Sequence, residues 1–246
     1  MITTYKAKAL TYHRDTLPAL SGITNRIRGL GKYYGGMWAS SLANDLLWFS
    51  IIRDSPQGQI FPKRPESGTL SFLWASTEGA IAFVDIEISS SSPQKKYLST
   101  MKAIECVPKG LDPLGELSGG IMQLWARAIP AKFVNIFEKP MPASIFIKDK
   151  CTLPSDPLCL WATLHCPGIG HYVFHPDSMD LEMGELLCIP IFSDAHAESQ
   201  SCYGMVLQKL GRVTTRGLWL GRRVGIIATI EFQHFDAADM VEVWIE

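Results

Sequence analysis

With 246 residues, 47% of them hydrophobic and only 19% charged, the chain has the composition of a folded globular protein and not of a disordered one, with apolar material for one large domain or two small ones. Lysine and arginine number 23 against 24 aspartate and glutamate, and the formal net charge of −1 predicts neither a polyanion binder nor a strongly acidic surface, so no nucleic-acid partner is expected. Residues 1–15 hold no apolar run of signal-peptide length, and no later stretch approaches the roughly 20 apolar residues of a membrane span, so a cytoplasmic protein with no membrane partner is expected.

Residues 2–12 carry Tyr5, Leu10 and Tyr12 without clean alternation, as a short strand or extended arm would. From Asp15 the pattern becomes helical. Asp15 is a fitting N-cap, Pro18 stands in the first turn, and Leu20, Ile23, Ile27 and Leu30 recur at helical spacing. Arg26, Arg28 and Lys32 complement the C-terminal carbonyls and Gly31 is a stop. After Tyr33-Tyr34-Gly35-Gly36, a second apolar series (Trp38, Leu42, Leu46, Leu47, with Trp48 beside it) predicts another short helix. Together these make a helical cap over residues 1–53, with Leu20, Ile23, Ile27, Trp38, Leu47 and Trp74 expected in one buried cluster. The Pro- and Gly-rich loop at 54–67 separates the cap from a β-rich domain at 68–246, unless 1–246 is a single domain.

Beyond that loop the period is that of strands. Residues 69–76 and 80–88 predict a hairpin around Thr77-Glu78-Gly79, with Ala82, Val84, Ile86 and Ile88 on the buried face and 89–96 as a polar connection. Strands follow at 97–107 and 121–129, where Met122, Leu124, Ala126 and Ala128 alternate with Gln123, Trp125 and Arg127. The short runs 133–137 and 144–148, bounded by Pro140 and Pro142, suit irregular edge strands, and 151–157 a loop. Further strands are expected at 158–166, 172–174, 185–192, 202–210, 217–232 and 240–245. With no helical patterns between them and no fixed-period repeat, they predict an α+β protein dominated by an antiparallel sheet or sandwich.

For chemistry, Cys159, His165, Cys166, His171 and His175 bring the ligand types that zinc prefers close together in sequence, and a metal-dependent enzyme built on this 159–175 segment is one reading. The spacing lacks the paired cysteines of a zinc finger, and Pro167-Gly168-Ile169-Gly170 resembles a hairpin turn with Cys166 and His171 at its base, so no metal ligand is assigned. The six cysteines are scattered, several within apolar strands, and buried thiols are expected in place of disulfides. Ser118 in Gly115-Glu116-Leu117-Ser118-Gly119-Gly120 has the wrong spacing for a nucleophile elbow, and turn geometry accounts for the motif. The glycines at 29–36 follow a helix and do not precede one, which rules out a phosphate cradle. Arg212, Arg216, Arg222 and Arg223 read as the solvated edges of a hairpin. The aromatic residues fall mostly at apolar parities, leaving a β-sandwich ligand-binding module with a stacking face as a further alternative. No catalytic residue, cofactor-binding residue or cofactor is assigned.

The run Asp15-Thr16-Leu17-Pro18-Ala19-Leu20-Ser21-Gly22-Ile23, followed by Gly36-Met37-Trp38 and Leu46-Leu47-Trp48, then by Trp74-Ala75-Ser76 and by Asp112-Pro113-Leu114-Gly115 with Gly119-Gly120, forms an ordered series over much of the chain. It resembles the region just C-terminal to the HET domain in fungal heterokaryon-incompatibility proteins. Two departures stand out: only fourteen residues precede Asp15, so the HET domain itself is expected to be absent, and the family's Pro-Ser-Trp-Ser-Trp is replaced by Leu70-Ser71-Phe72-Leu73-Trp74. The resemblance implies a non-enzymatic region that supports or regulates self/non-self recognition, with a HET domain or another copy of the chain as partner. It also implies that this stretch alone does not trigger cell death, while apolar residues such as Leu42 and Leu46 lose their usual cover.

Overall fold

Strands that alternate apolar and polar residues bury one face of a sheet, whereas near-continuous apolar runs such as Glu185-Leu-Leu-Cys-Ile-Pro-Ile-Phe must be covered on both. Both kinds occur in the computed structural model, which describes residues 2–8, 10, 12–55, 58–65, 69–84, 96–136, 141–142, 158–179, 184–193, 201–210 and 218–246. Its principal strands are β1 (Trp48–Ile51), β2 (Ala80–Phe83), β3 (Ser99–Pro108), β4 (Leu117–Arg127), β5 (Ile129–Ile136), β6 (Ala162–Cys166), β7 (Gly170–Pro176), β8 (Glu185–Ser193), β9 (Ser201–Lys209), β10 (Trp219–Glu231) and β11 (Met240–Ile245). The fold is α+β with a dominant antiparallel sheet, as expected, and that sheet closes.

Six strands run β7-β6-β5-β8-β9-β10, and β10 pairs back onto β7 through Phe174↔Ile227, His175↔Ile226 and Pro176↔Gly225. Ladder closure removes the free edges that an open sheet exposes. The barrel is filled by side chains, among them Leu164, Phe174, Ile227 and the thiols of Cys166, Cys188 and Cys202. Outside it, Leu187, Ile189, Met205, Leu207 and Ile226 belong to a second, larger core, which is why every residue of β8 after Glu185 is buried. The first residues of β10, from Trp219 to Gly221, pair in parallel with β11, and β11, β4 and β3 extend the sheet in antiparallel fashion. Met122, Leu124, Ala126 and Ala128 face the core as their alternation predicts. The small β1–β2 pair and the N-terminal segment complete this larger core, which draws on Leu17 and Leu20 as well as on Val243 and Ile245.

Several expectations are corrected. The N-terminal arm is a helix, α1 (Ile2–Lys6), and the long helix at 15–31 shrinks to α2 (Pro18–Thr24). Pro18 does stand in its first turn, but the helix ends at Thr24, whose hydroxyl donates to Leu20 O and Ser21 O, and Gly29 and Gly31 further on adopt positive φ. Of the apolar residues of this segment only Leu17 and Leu20 are buried deeply; Ile23 is 53% exposed and Ile27 half-buried, so neither joins the cluster around Trp74. The second helix is one turn, α3 (Leu42–Asp45), and Trp48 opens β1. Trp74–Ser76 is a 3-10 turn and not a strand, with Glu78 bridged to Lys63 instead of turning a hairpin. Ile81 is as buried as Ala82, so β2 is covered on both faces. β5 is a central barrel strand, paired on both sides, where an edge was expected. It tolerates Pro130 because β6 pairs only from Lys132 onward, so the missing N–H interrupts no ladder on that side. The continuation through Ile86 and Ile88, most of 89–96, the run 144–148 and the 151–157 loop lie outside the described residues. Among the described residues no helix is long and apolar enough to cross a membrane.

Candidate functional site

Residues far apart in sequence meet around the Trp74 indole, which is fully buried. Its Nε1 donates to the carbonyl of Gly36 at 3.0 Å. Gly36 has φ +100, and a Cβ there would lie 2.4 Å from the indole ring, so glycine alone fits both the backbone and the space. At neighbouring Gly35 a Cβ would meet Leu73 at 2.7 Å and Leu117 at 2.9 Å. Tyr5 of α1 packs edge-on to Trp74 with ring centroids 6.4 Å apart, and Lys6 passes its Nζ 5.9 Å from the same ring to donate to the carbonyl of Thr77. Trp48 Nε1 donates to Phe72 O at 3.1 Å. The Asp112 turn leads into β4: Asp112 Oδ1 accepts from Leu114 N–H at 3.0 Å, and Gly120 lies so close to Glu105 O that a Cβ would be 2.3 Å away. Ser118 donates to Val107 O at 3.2 Å, which accounts for it within the β3–β4 hairpin.

Above this junction lies a cavity of about 650 Å³, lined by His13, Arg14, Leu17, Pro65, Ala75, Leu117 and Ser118. It shares Pro65, Thr69 and Ser118 with a second hollow of about 390 Å³ that reaches Arg64, Ser71 and Arg222. Burial, and next the charge of Lys6, lower the His13 pKa against a weaker pull from Glu78. Lys109 and Glu116 pair at 2.8 Å on the rim. This groove is therefore a mixed polar and apolar surface, to which the ordered series contributes Thr16, Leu17 and Ala75.

A buried ionic cluster supports its floor. The Arg223 guanidinium lies 3.5 Å over the Trp48 ring, donates to Asp177 Oδ1 at 3.1 Å and also bonds Trp48 O; all three residues are inaccessible. Arg64, one-fifth exposed, closes on the other carboxylate oxygen at 2.7 Å. Arg223 Nε and Nη1 make no hydrogen bond among the described residues. Burial pushes the Arg223 pKa down to about 9 and that of Asp177 up, and in each case the opposite charge opposes the shift. The arginine-rich run predicts Arg223 on a solvated hairpin with Arg222. The structure instead buries Arg223 and leaves Arg222 half-buried, donating to Gln208 Oε1 at 2.9 Å. Arg212 and Arg216 lie outside the described residues.

The cysteine and histidine segment separates into three places. Cys159 and His175 meet in the larger core, with Sγ and Nδ1 3.3 Å apart. The same Nδ1 is 3.1 Å from Leu160 O, which only accepts, so Nδ1 carries the proton and cannot take one from the thiol. Burial holds the His175 pKa down to about 4. Cys166 points into the barrel. His165 and His171 lie outside it, directly opposite each other, because the turn has three residues and Cys166 pairs with Gly170, one position short of the expected base. Among the described residues no three Cys, His, Asp or Glu side chains form a metal-binding group. Cys106, Cys159, Cys166, Cys188 and Cys202 are free thiols. Of the residues expected to lose cover, Leu46 is buried and Leu42 half-buried. Trp125 is 38% exposed, on the outer face of β4 opposite Glu242 and Thr100, so not every aromatic residue belongs to a core.

No family model, no curated protein and no solved structure matches this chain.

Proposed function

We propose that the chain is the non-enzymatic, β-rich region of a fungal HET-family protein, acting in the cytoplasm to support or regulate self/non-self recognition, with a HET domain or a second copy of the chain as partner. One observation carries this reading: four pieces of the ordered series, represented by Leu17 and Leu20, by Met37, by Leu46 to Trp48 and by Trp74 and Ala75, share one buried core, and Trp74 Nε1 bonds Gly36 O across two of them. A series that reflects a shared fold brings its pieces together, as Gly36 and Trp74 are brought into one hydrogen bond and Leu20, Trp48 and Trp74 into one core. These residues are engaged in packing and backbone hydrogen bonds. The groove above them is the surface offered for docking.

The test is expression of residues 1–246 in a fungal host, alone and together with a HET domain supplied as a separate chain. Alone, the chain is expected to leave viability unchanged; with the HET domain, it is expected to alter the frequency of cell death. Lethality from the chain alone overturns the non-enzymatic reading, and an unaltered frequency overturns the regulatory one.

A further inference from the structure

The closing of the β6–β7 hairpin by a three-residue turn has a chemical result. It places His165 and His171 in one row of an antiparallel ladder, where directly opposed side chains project to the same face about 4.5–5.5 Å apart at Cβ. Leu164 and Cys166 point into the barrel, so this row lies on its outside, with His171 exposed and His165 half-buried. The two imidazoles have ring centroids 4.8 Å apart and planes inclined by 35°. We propose that His165 and His171 are a two-imidazole site for a late divalent transition metal ion.

The distance is the first support. With metal–nitrogen bonds of about 2.1 Å, each ring centroid stands about 3.2 Å from the ion, so ligand angles between about 90° and 109° need centroids about 4.5–5.2 Å apart. The observed 4.8 Å falls inside that interval without movement of either strand. The second support is Nδ1 of His165, which is shut off from solvent and makes no hydrogen bond among the described residues; turning this ring toward a metal therefore sacrifices no hydrogen bond there. The third is rigidity. β6 is paired on both sides, with β5 and β7, so the geometry is held before the ion arrives. On the far side of His165, Lys132 is its ladder partner on β5, and Lys132 in turn faces Glu185, whose carboxylate Lys209 already binds at 2.6 Å. The local charge thus supplies no acidic cage, and ligation rests on neutral imidazole, which suits Ni(II), Cu(II) and Zn(II) over Mg(II) or Ca(II). Two protein nitrogens leave the remaining coordination positions to water or an external ligand.

Ni(II) is the probe of choice, because Cu(II), although bound more tightly by imidazole, is reduced by thiols. The metal-free 246-residue protein is titrated with NiCl2 by calorimetry, beside His165→Asn, His171→Asn and, as a control for isolated imidazoles, His234→Asn. The expected result is one Ni(II) per chain, weakened at least about a hundredfold by either substitution in the pair, since the second imidazole binds intramolecularly, and unchanged by His234→Asn. Circular dichroism establishes that each variant is folded, and His171, exposed at the hairpin, is the less disruptive of the two sites. Equal affinity in wild type and in folded His171→Asn, or loss of binding in His234→Asn in its place, overturns the proposal.

Discussion

Substituting Gly36 by alanine tests whether the Trp74 junction organises the fold. The added Cβ meets two penalties of different origin. The first is local: φ +100 is a backbone conformation that side chains oppose, at about 1–2 kcal/mol. The second is steric: the methyl would stand 2.4 Å from the indole, well inside carbon–carbon contact distance, and overpacking of this kind costs about 1–3 kcal/mol. Gly36→Ala is therefore expected to destabilise the protein by about 2–5 kcal/mol, measured as a lowered urea midpoint at unchanged slope. A second background separates the two penalties. Trp74→Leu on its own is destabilising, through lost volume and the loss of the donor to Gly36 O, but it removes the atoms that the new methyl strikes. In that background Gly36→Ala should cost only the backbone part, giving a coupling energy of about 1–3 kcal/mol between the two sites. An equal cost of Gly36→Ala in both backgrounds would show that the glycine serves its turn alone and that the junction is not a unit.

Asp177→Asn should cost about 3–5 kcal/mol, because it leaves Arg223 inaccessible and uncompensated, while Arg223→Met should cost less since Asp177 keeps Arg64; thermal midpoints in the reverse order would refute this. His175 is held neutral, with its pKa lowered from 6.5 to about 4, so its contribution is complete above pH 6.5 and is lost as pH falls from there toward 4. Between pH 7.5 and pH 4.5 this amounts to about 2–3 kcal/mol, which His175→Phe should remove from the pH dependence of the urea midpoint; an imidazole that titrates near 6.5 by NMR would contradict it. Cys166, Cys188 and Cys202, sealed in the barrel, should be alkylated only on unfolding, as followed by peptide mass spectrometry. Rapid labelling of any of them in the native protein would mean that the barrel opens.

The strands were legible because burial writes itself into period. β11 spans Met240–Ile245, the residues its alternation marks, and β4 turns Met122, Leu124 and Ala126 inward as expected. What period cannot supply is partnership. Nothing in the run of β10 tells that its middle closes onto β7, far back in the chain, while its first residues pair in parallel with β11, the next strand. The helical stretch misled for a related reason. Ile23 and Ile27 fit the spacing of Leu20, but a spacing fixes a face and not its cover: the helix ends at Thr24, Ile23 stands exposed and Ile27 is only half-buried.

The sites divide along the same line. Each histidine of the 159–175 segment was visible, yet the distribution of the five candidate ligands among barrel interior, barrel exterior and outer core depends on strand parity and on one residue of turn length. A four-residue turn would have opposed Cys166 to His171, one imidazole to one thiol that the barrel needs inside; the three-residue turn opposes imidazole to imidazole on the outside and leaves the thiol buried. Arg223 was hidden more deeply, because an arginine in a run that also holds Arg222 looks solvated, and the carboxylate that holds it, Asp177, lies 46 residues away in sequence. Its burial becomes intelligible only once β10 passes beneath Trp48, whose ring supplies the face over which the guanidinium spreads. Composition thus supplied the ligand types, and register decided which of them face each other.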